Sequence, residues 1–138
     1  MQILLPYREP IEIARCLDRK RLHRQIVDCR QILRCIDKKK FNHPVVRMYK
    51  DHRGFVENYM FVMECHKRHD DATAEFFSTV ALCLLPSFIT DEFINHHRSR
   101  LYTKDSSRYG MFAEYGTSQE NWYIVDGNIV KHKEKEIK

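Results

Sequence analysis

From Ile11 to Ile36 apolar side chains return at helical intervals, with Leu22, Ile26, Cys29, Leu33 and Ile36 spaced four, three, four and three residues apart. That spacing lines one face of an amphipathic helix, and the crowding of charged residues predicts a break or kink around Leu17 to Arg21. A second ladder, Val45, Tyr49, Val56, Tyr59 and Met63, widened by Phe55 and Val62, predicts a helix entered at Pro44. Proline suits the first helical position, His43 or Asn42 supplies the cap, and Gly54 is the weak spot. Ala72 to Leu85 predict a third helix stopped by Pro86, and Thr90 or Asp91 caps a fourth over Glu92 to Lys104. From Asp105 the texture changes to Ser, Gly and aromatic residues (Tyr109, Met111, Phe112, Tyr115, Trp122, Tyr123), which predicts an irregular segment packing its rings back on the helices. The expected fold is all-α: a single compact helical domain over residues 1–130, with a long N-terminal helix and an irregular aromatic-rich C-terminal segment. Residues 131–138 alternate in charge and read as a frayed tail.

Length and composition agree with one folded domain, since 138 residues bury one core but hardly two, and 43% hydrophobic content is too high for disorder. The longest apolar stretch, Val80 to Pro86, falls far short of the roughly 20 residues of a bilayer span. The start has neither the basic flank nor the apolar run of a secretory signal, so a soluble, cytoplasmic protein is expected. Five cysteines without a C-x-x-C pair predict reduced, mostly buried thiols.

Charge changes the picture more. Residues 1–54 hold 14 Lys and Arg against 6 Asp and Glu, a balance of +8, while the remaining 84 hold 10 against 13, or −3. A cationic half on a mildly acidic body is the footprint of a polyanion partner, because each cation that neutralises a phosphate releases condensed counterion. Nucleic acid is the first candidate.

Familiar chemical motifs are missing from the chain. There is no phosphate-cradling glycine loop and no nucleophile elbow, with four glycines in all. Neither His66 with His69 nor His96 with His97 has metal-ligand spacing, so neither a metal nor an organic cofactor is expected. What the first helix does carry is a line of Arg21, Gln25 and Asp28 at i, i+4 and i+7, which places a cation, an amide and a carboxylate on one flank, with Arg24 expected on the opposite side near Lys20. The fourth helix adds a second basic cluster of Arg98, Arg100 and Lys104, followed by Arg108.

Several stretches together resemble the pyrimidine-dimer DNA glycosylases, the phage endonuclease V-like family. They are Met1-Gln2 through Leu5-Pro6-Tyr7, Leu17-Asp18-Arg19 with Leu22 and Arg24-Gln25, Asn42-His43-Pro44 with Arg47-Met48, and His97-Arg98-Ser99-Arg100-Leu101 with Lys104 and Tyr109. The resemblance implies a compact helical protein that excises the damaged base from double-stranded, UV-damaged DNA and nicks the abasic strand, acting as a monomer without a cofactor. It implies attack by the terminal α-amine, a group whose reference pKa of about 8 leaves a useful neutral fraction near pH 7, and a carboxylate on the first long helix. Arg21, Arg24, Arg100 and Lys104 are the expected phosphate grip, with His43, Arg47 and Arg98 as further DNA contacts.

Two departures stand out. Gln2 is too bulky for ordinary methionine excision, so the attacking amine belongs to Met1, with Gln2 beside it. Matching Arg24-Gln25 to the family's Arg-Glu puts an amide at the acid's position, and Gln25 cannot exchange a proton. Asp28, one turn on, is the replacement expected, with Glu12 as a weaker alternative. A non-catalytic nucleic-acid-binding protein of the same fold is the other reading these departures allow.

Overall fold

A computed structural model describes residues 1–133. The first nine residues form no helix, yet Ile3 and Leu5 are fully buried, so this segment threads into the core instead of lying on it. Pro10 at the first helical position opens α1 (Pro10–Cys16). The expected break then falls at Leu17 and Asp18, both extended, and Asp18 caps α2 (Arg19–Asp37) by accepting from the Arg21 N–H at 3.3 Å. The Asp18 N–H donates in turn to the Tyr109 hydroxyl at 3.1 Å, which ties this corner to the far end of the chain.

The second ladder is two helices rather than one. His43 caps α3 (Pro44–Tyr49), its Nδ1 accepting from Val45 N–H, and the chain turns at Lys50 to His52 before α4 (Arg53–Lys67). The turn separates Val45 and Tyr49 from Val56, Tyr59 and Met63, yet all five remain in the core. Gly54 sits where the start of α4 meets Leu84; a Cβ there would lie 3.2 Å from the Leu84 Cδ1. Helix α5 (Asp71–Cys83) is capped by Asp70 and stops before Pro86, and of the two caps expected for α6 (Asp91–Lys104) it is the Thr90 hydroxyl that serves. α4 packs on α5, α2 and α1 around one hydrophobic cluster. Among the described residues no helix is long and apolar enough to cross a membrane. Of the five thiols, all free, only Cys29 and Cys65 are buried, Cys16 and Cys35 are half-buried, and Cys83 is exposed, which corrects the expectation of mostly buried cysteines.

The C-terminal segment is ordered, not irregular. A 3-10 turn (Gly110–Tyr115) leads to an antiparallel hairpin of β1 (Glu120–Val125) and β2 (Asn128–Lys133), with Val125 opposite Asn128. Asp126 and Gly127 form its two-residue loop with φ of 52° and 78°, the pair of positive angles that a type I′ turn demands and that Asp-Gly tolerates. The fold is therefore largely helical with one small sheet. The expected tail begins inside β2, and its residues 134–138 lie outside those described. The hairpin seats itself on helix α6 by stacking Trp122 on His96, rings parallel within 4° and centroids 4.0 Å apart, and sets the Tyr123 ring edge-on to His43.

Candidate active site

The same flank of α2 that the helical period singles out is covered by the N-terminal segment. Gln25, 2% exposed, donates from Nε2 to the Gln2 carbonyl (3.1 Å) and accepts at Oε1 from the Leu4 N–H (2.8 Å). The Tyr59 hydroxyl of α4 lies within bonding reach of that same Oε1 (2.9 Å) and of the Leu4 carbonyl (2.7 Å). One residue on, the Leu5 N–H donates to Nδ1 of His97 on α6 at 2.9 Å. Burial, reinforced by the neighbouring His96 and Arg100, pushes the His97 imidazole down to about 3, so it is the neutral acceptor this bond requires. His96 is likewise held down, to about 4, by burial and by Arg100.

Asp28 stands where this segment begins. Its side chain is 6% exposed; Oδ2 accepts a long 3.4 Å bond from the Gln2 N–H, and Oδ1 is 3.2 Å from Arg24 Nε. The Arg24 contact is an ion pair rather than an aligned hydrogen bond, so Oδ1 is buried without a hydrogen-bond donor among the described residues. Successive backbone nitrogens are no more than about 3.7 Å apart by covalent geometry, so the residue-1 amine lies within about 7 Å of Asp28 Oδ2. His43, the N-cap of α3, is close enough to that amine for it to hold the imidazole below its ordinary value, after burial and ahead of Arg47.

Met1, Gln2, Gln25 and Asp28 open together into a cleft of about 820 Å³ between α2, α6 and the hairpin. Its walls carry Lys20, Arg21, Arg24, Arg100 and Lys104 against Asp18, Asp28 and Asp105, and Asn121 and Tyr123 close one side. Arg24, expected on the opposite side of α2, instead faces this cleft beside Asp28. Arg21 is braced by Asp18 at 3.0 Å, and Arg100 donates to the Ser118 carbonyl at 2.7 Å. Asp18 itself is held below the usual carboxylate range: burial opposes this, but hydrogen bonds from Tyr109 and Arg21 outweigh it.

Three expected contacts are not among the residues lining the cleft, although His43 stays close to the residue-1 amine. Arg98 turns away from the cleft into a cage of Tyr7, Phe112 and Tyr115, donating to the Pro6 carbonyl and the Tyr115 hydroxyl at 2.7 Å each. Arg47 donates to the Phe41 and Asn42 carbonyls and so closes the loop before α3, while His43 acts as that helix's cap. Glu12, the alternative acid, is on α1 in a surface network with Arg15. Asp18, Tyr59, His97 and Tyr123 join the site without a sequence pattern that marks them, save that His97 heads the His97-Arg98-Ser99-Arg100-Leu101 stretch.

A helical body with a cationic cleft lined by Met1, Gln2 and the buried Asp28 defines a class of protein suited to a polyanionic substrate. The comparison with protein families makes this specific: residues 1–75 match the family described as pyrimidine dimer DNA glycosylase, and the chain belongs to that family. The matched part spans α1 to α4 and includes Gln25, Asp28 and the cap His43, whereas α6 and the hairpin lie beyond it. Neither the curated proteins nor the solved structures gave a match.

Proposed function

We propose that the protein excises pyrimidine dimers from duplex DNA and nicks the resulting site through an imine on the α-amine of residue 1, as a monomer needing no metal or organic cofactor. The observation that carries this reading is the contact of Gln2 N–H with Asp28, which puts the amine and a buried carboxylate in one cleft. In this scheme the neutral amine attacks C1′ of the damaged nucleotide as the bond from C1′ to the base breaks. The base leaves with a proton, and opening of the sugar ring gives the imine. Removal of a C2′ proton then expels the 3′ phosphate, and water hydrolyses the imine to free the amine. In the same scheme Asp28 stabilises the cationic sugar and carries these protons. Lys20, Arg21, Arg24, Arg100 and Lys104 supply the phosphate grip, which a bent and locally opened duplex needs.

The test is borohydride trapping on a duplex with one defined cyclobutane dimer, with the adduct located by mass spectrometry. An adduct on residue 1, lost when the amine is acetylated, is the expected result. The second reading, a DNA-binding protein without the reaction, is favoured by the amide at Gln25; salt-sensitive duplex binding with no adduct on dimer or abasic DNA would select it.

A further inference from the structure

We infer that Gln25 is a positioning residue: its carboxamide holds the N-terminal segment in register beside Asp28, and a carboxylate at this position would work against the reaction. This rests on the reading that the residue-1 amine is the nucleophile. The bonding pattern carries it. The carbonyl of residue 2 and the N–H of residue 4 point to one side of an extended chain, where a neighbouring strand would meet them with one donor and one acceptor. Gln25 supplies that pair from a side chain, Nε2 to the Gln2 carbonyl and Oε1 from the Leu4 N–H. His97 holds the next N–H, that of Leu5, and Tyr59 supports both Gln25 and the Leu4 carbonyl. Side chains of Ile3 and Leu5 are fully buried, so the segment is fixed from the core side too.

An ionised glutamate accepts hydrogen bonds and donates none. In the place of Gln25 it would lose the bond to the Gln2 carbonyl and set a charged oxygen against it in a site that is 2% exposed. A protonated glutamate, with one O–H and one carbonyl oxygen, restores the pair. The amide is thus suited to its own task, and the acid's work belongs to Asp28.

Gln25→Glu tests this because its defect is reversible by pH. Single-turnover excision and the trapped adduct are measured on the dimer duplex against the parent between pH 5 and 8, together with DNA affinity and hydrogen-exchange protection of the Leu4 and Leu5 amides. The expected result is at least a tenfold loss of rate relative to the parent at pH 8, a deficit that narrows as pH falls and the introduced carboxyl takes up its proton, and an affinity changed less than twofold. Protection of Leu4 should fall and recover over the same range. A variant as fast as the parent or faster at pH 8 overturns the inference. If the parent itself forms no adduct, the proposed function fails, and the protection data still decide the clamp: unchanged protection at pH 8 refutes it.

Discussion

Asp28→Asn separates chemistry from stability, because the substitution keeps the side chain's size while removing its charge and its ability to exchange a proton. The Arg24 partner is 65% exposed and lies at i+4 spacing, where such pairs contribute about 0.3–0.5 kcal/mol after screening. The 3.4 Å bond from Gln2 N–H is long and retains an oxygen acceptor in the variant, so its loss adds little. Relief from burying a charge acts in the opposite direction. Stability should therefore change by no more than about 1 kcal/mol, a shift of about 3–5 °C in Tm for a domain of this size. A positioned proton carrier contributes about 10²–10⁴ in rate, or about 3–5 kcal/mol on the barrier. The assay is single-turnover cleavage of a dimer-bearing duplex at saturating protein, with Kd measured on the same DNA. A variant that cleaves within threefold of the parent at matched occupancy removes Asp28 from the mechanism.

Other consequences are open to measurement. Lys104→Ala should flatten the slope of log K against log salt by about one unit without changing lesion preference, as expected for a phosphate contact; an unchanged slope places Lys104 off the DNA path. The His97 imidazole is depressed to about 3 when folded against about 6.5 when unfolded, so the unfolded chain binds the extra proton and stability falls as pH drops from about 6.5 toward 3. Urea melts at pH 7, 6 and 5 should show that loss in the parent and a shallower one in His97→Gln. Tyr59→Phe strips the hydroxyl from both Leu4 and Gln25 and should cost about 1–3 kcal/mol in urea unfolding. A Cβ at Gly127 meets no atom of the described residues within 4 Å, so the cost of Gly127→Ala, about 1–2 kcal/mol, should come from the positive φ alone, and little or no loss would contradict the type I′ turn.

Helical periodicity made α2, α5 and α6 and the flank of Arg21, Gln25 and Asp28 legible, since those relations lie within one or two turns of chain. The docking of residues 2–5 was not legible, because its partners Tyr59 and His97 stand 55 and 92 positions away from the groups they bind. Arg98 and Arg100 looked alike as basic residues of one stretch. Two residues on a helix, however, point to nearly opposite sides, which sends one to the Tyr7 and Tyr115 cage and the other to the cleft. The hairpin had a local signal in Asp126-Gly127 between Trp122-Tyr123-Ile124-Val125 and Asn128-Ile129-Val130, which the Ser, Gly and aromatic texture before it obscured. The interruption at Lys50 to His52 had no proline or strong cap to announce it.

The pinning of residues 2–5 turns the start of the chain into a ruler. One residue added ahead of Met1, or one taken away, displaces the amine by up to about 3.5 Å from a segment whose downstream contacts cannot slide to compensate. Under the proposed mechanism an affinity tag at this end would act as an active-site change, and a preparation carrying one would bind DNA yet form no adduct.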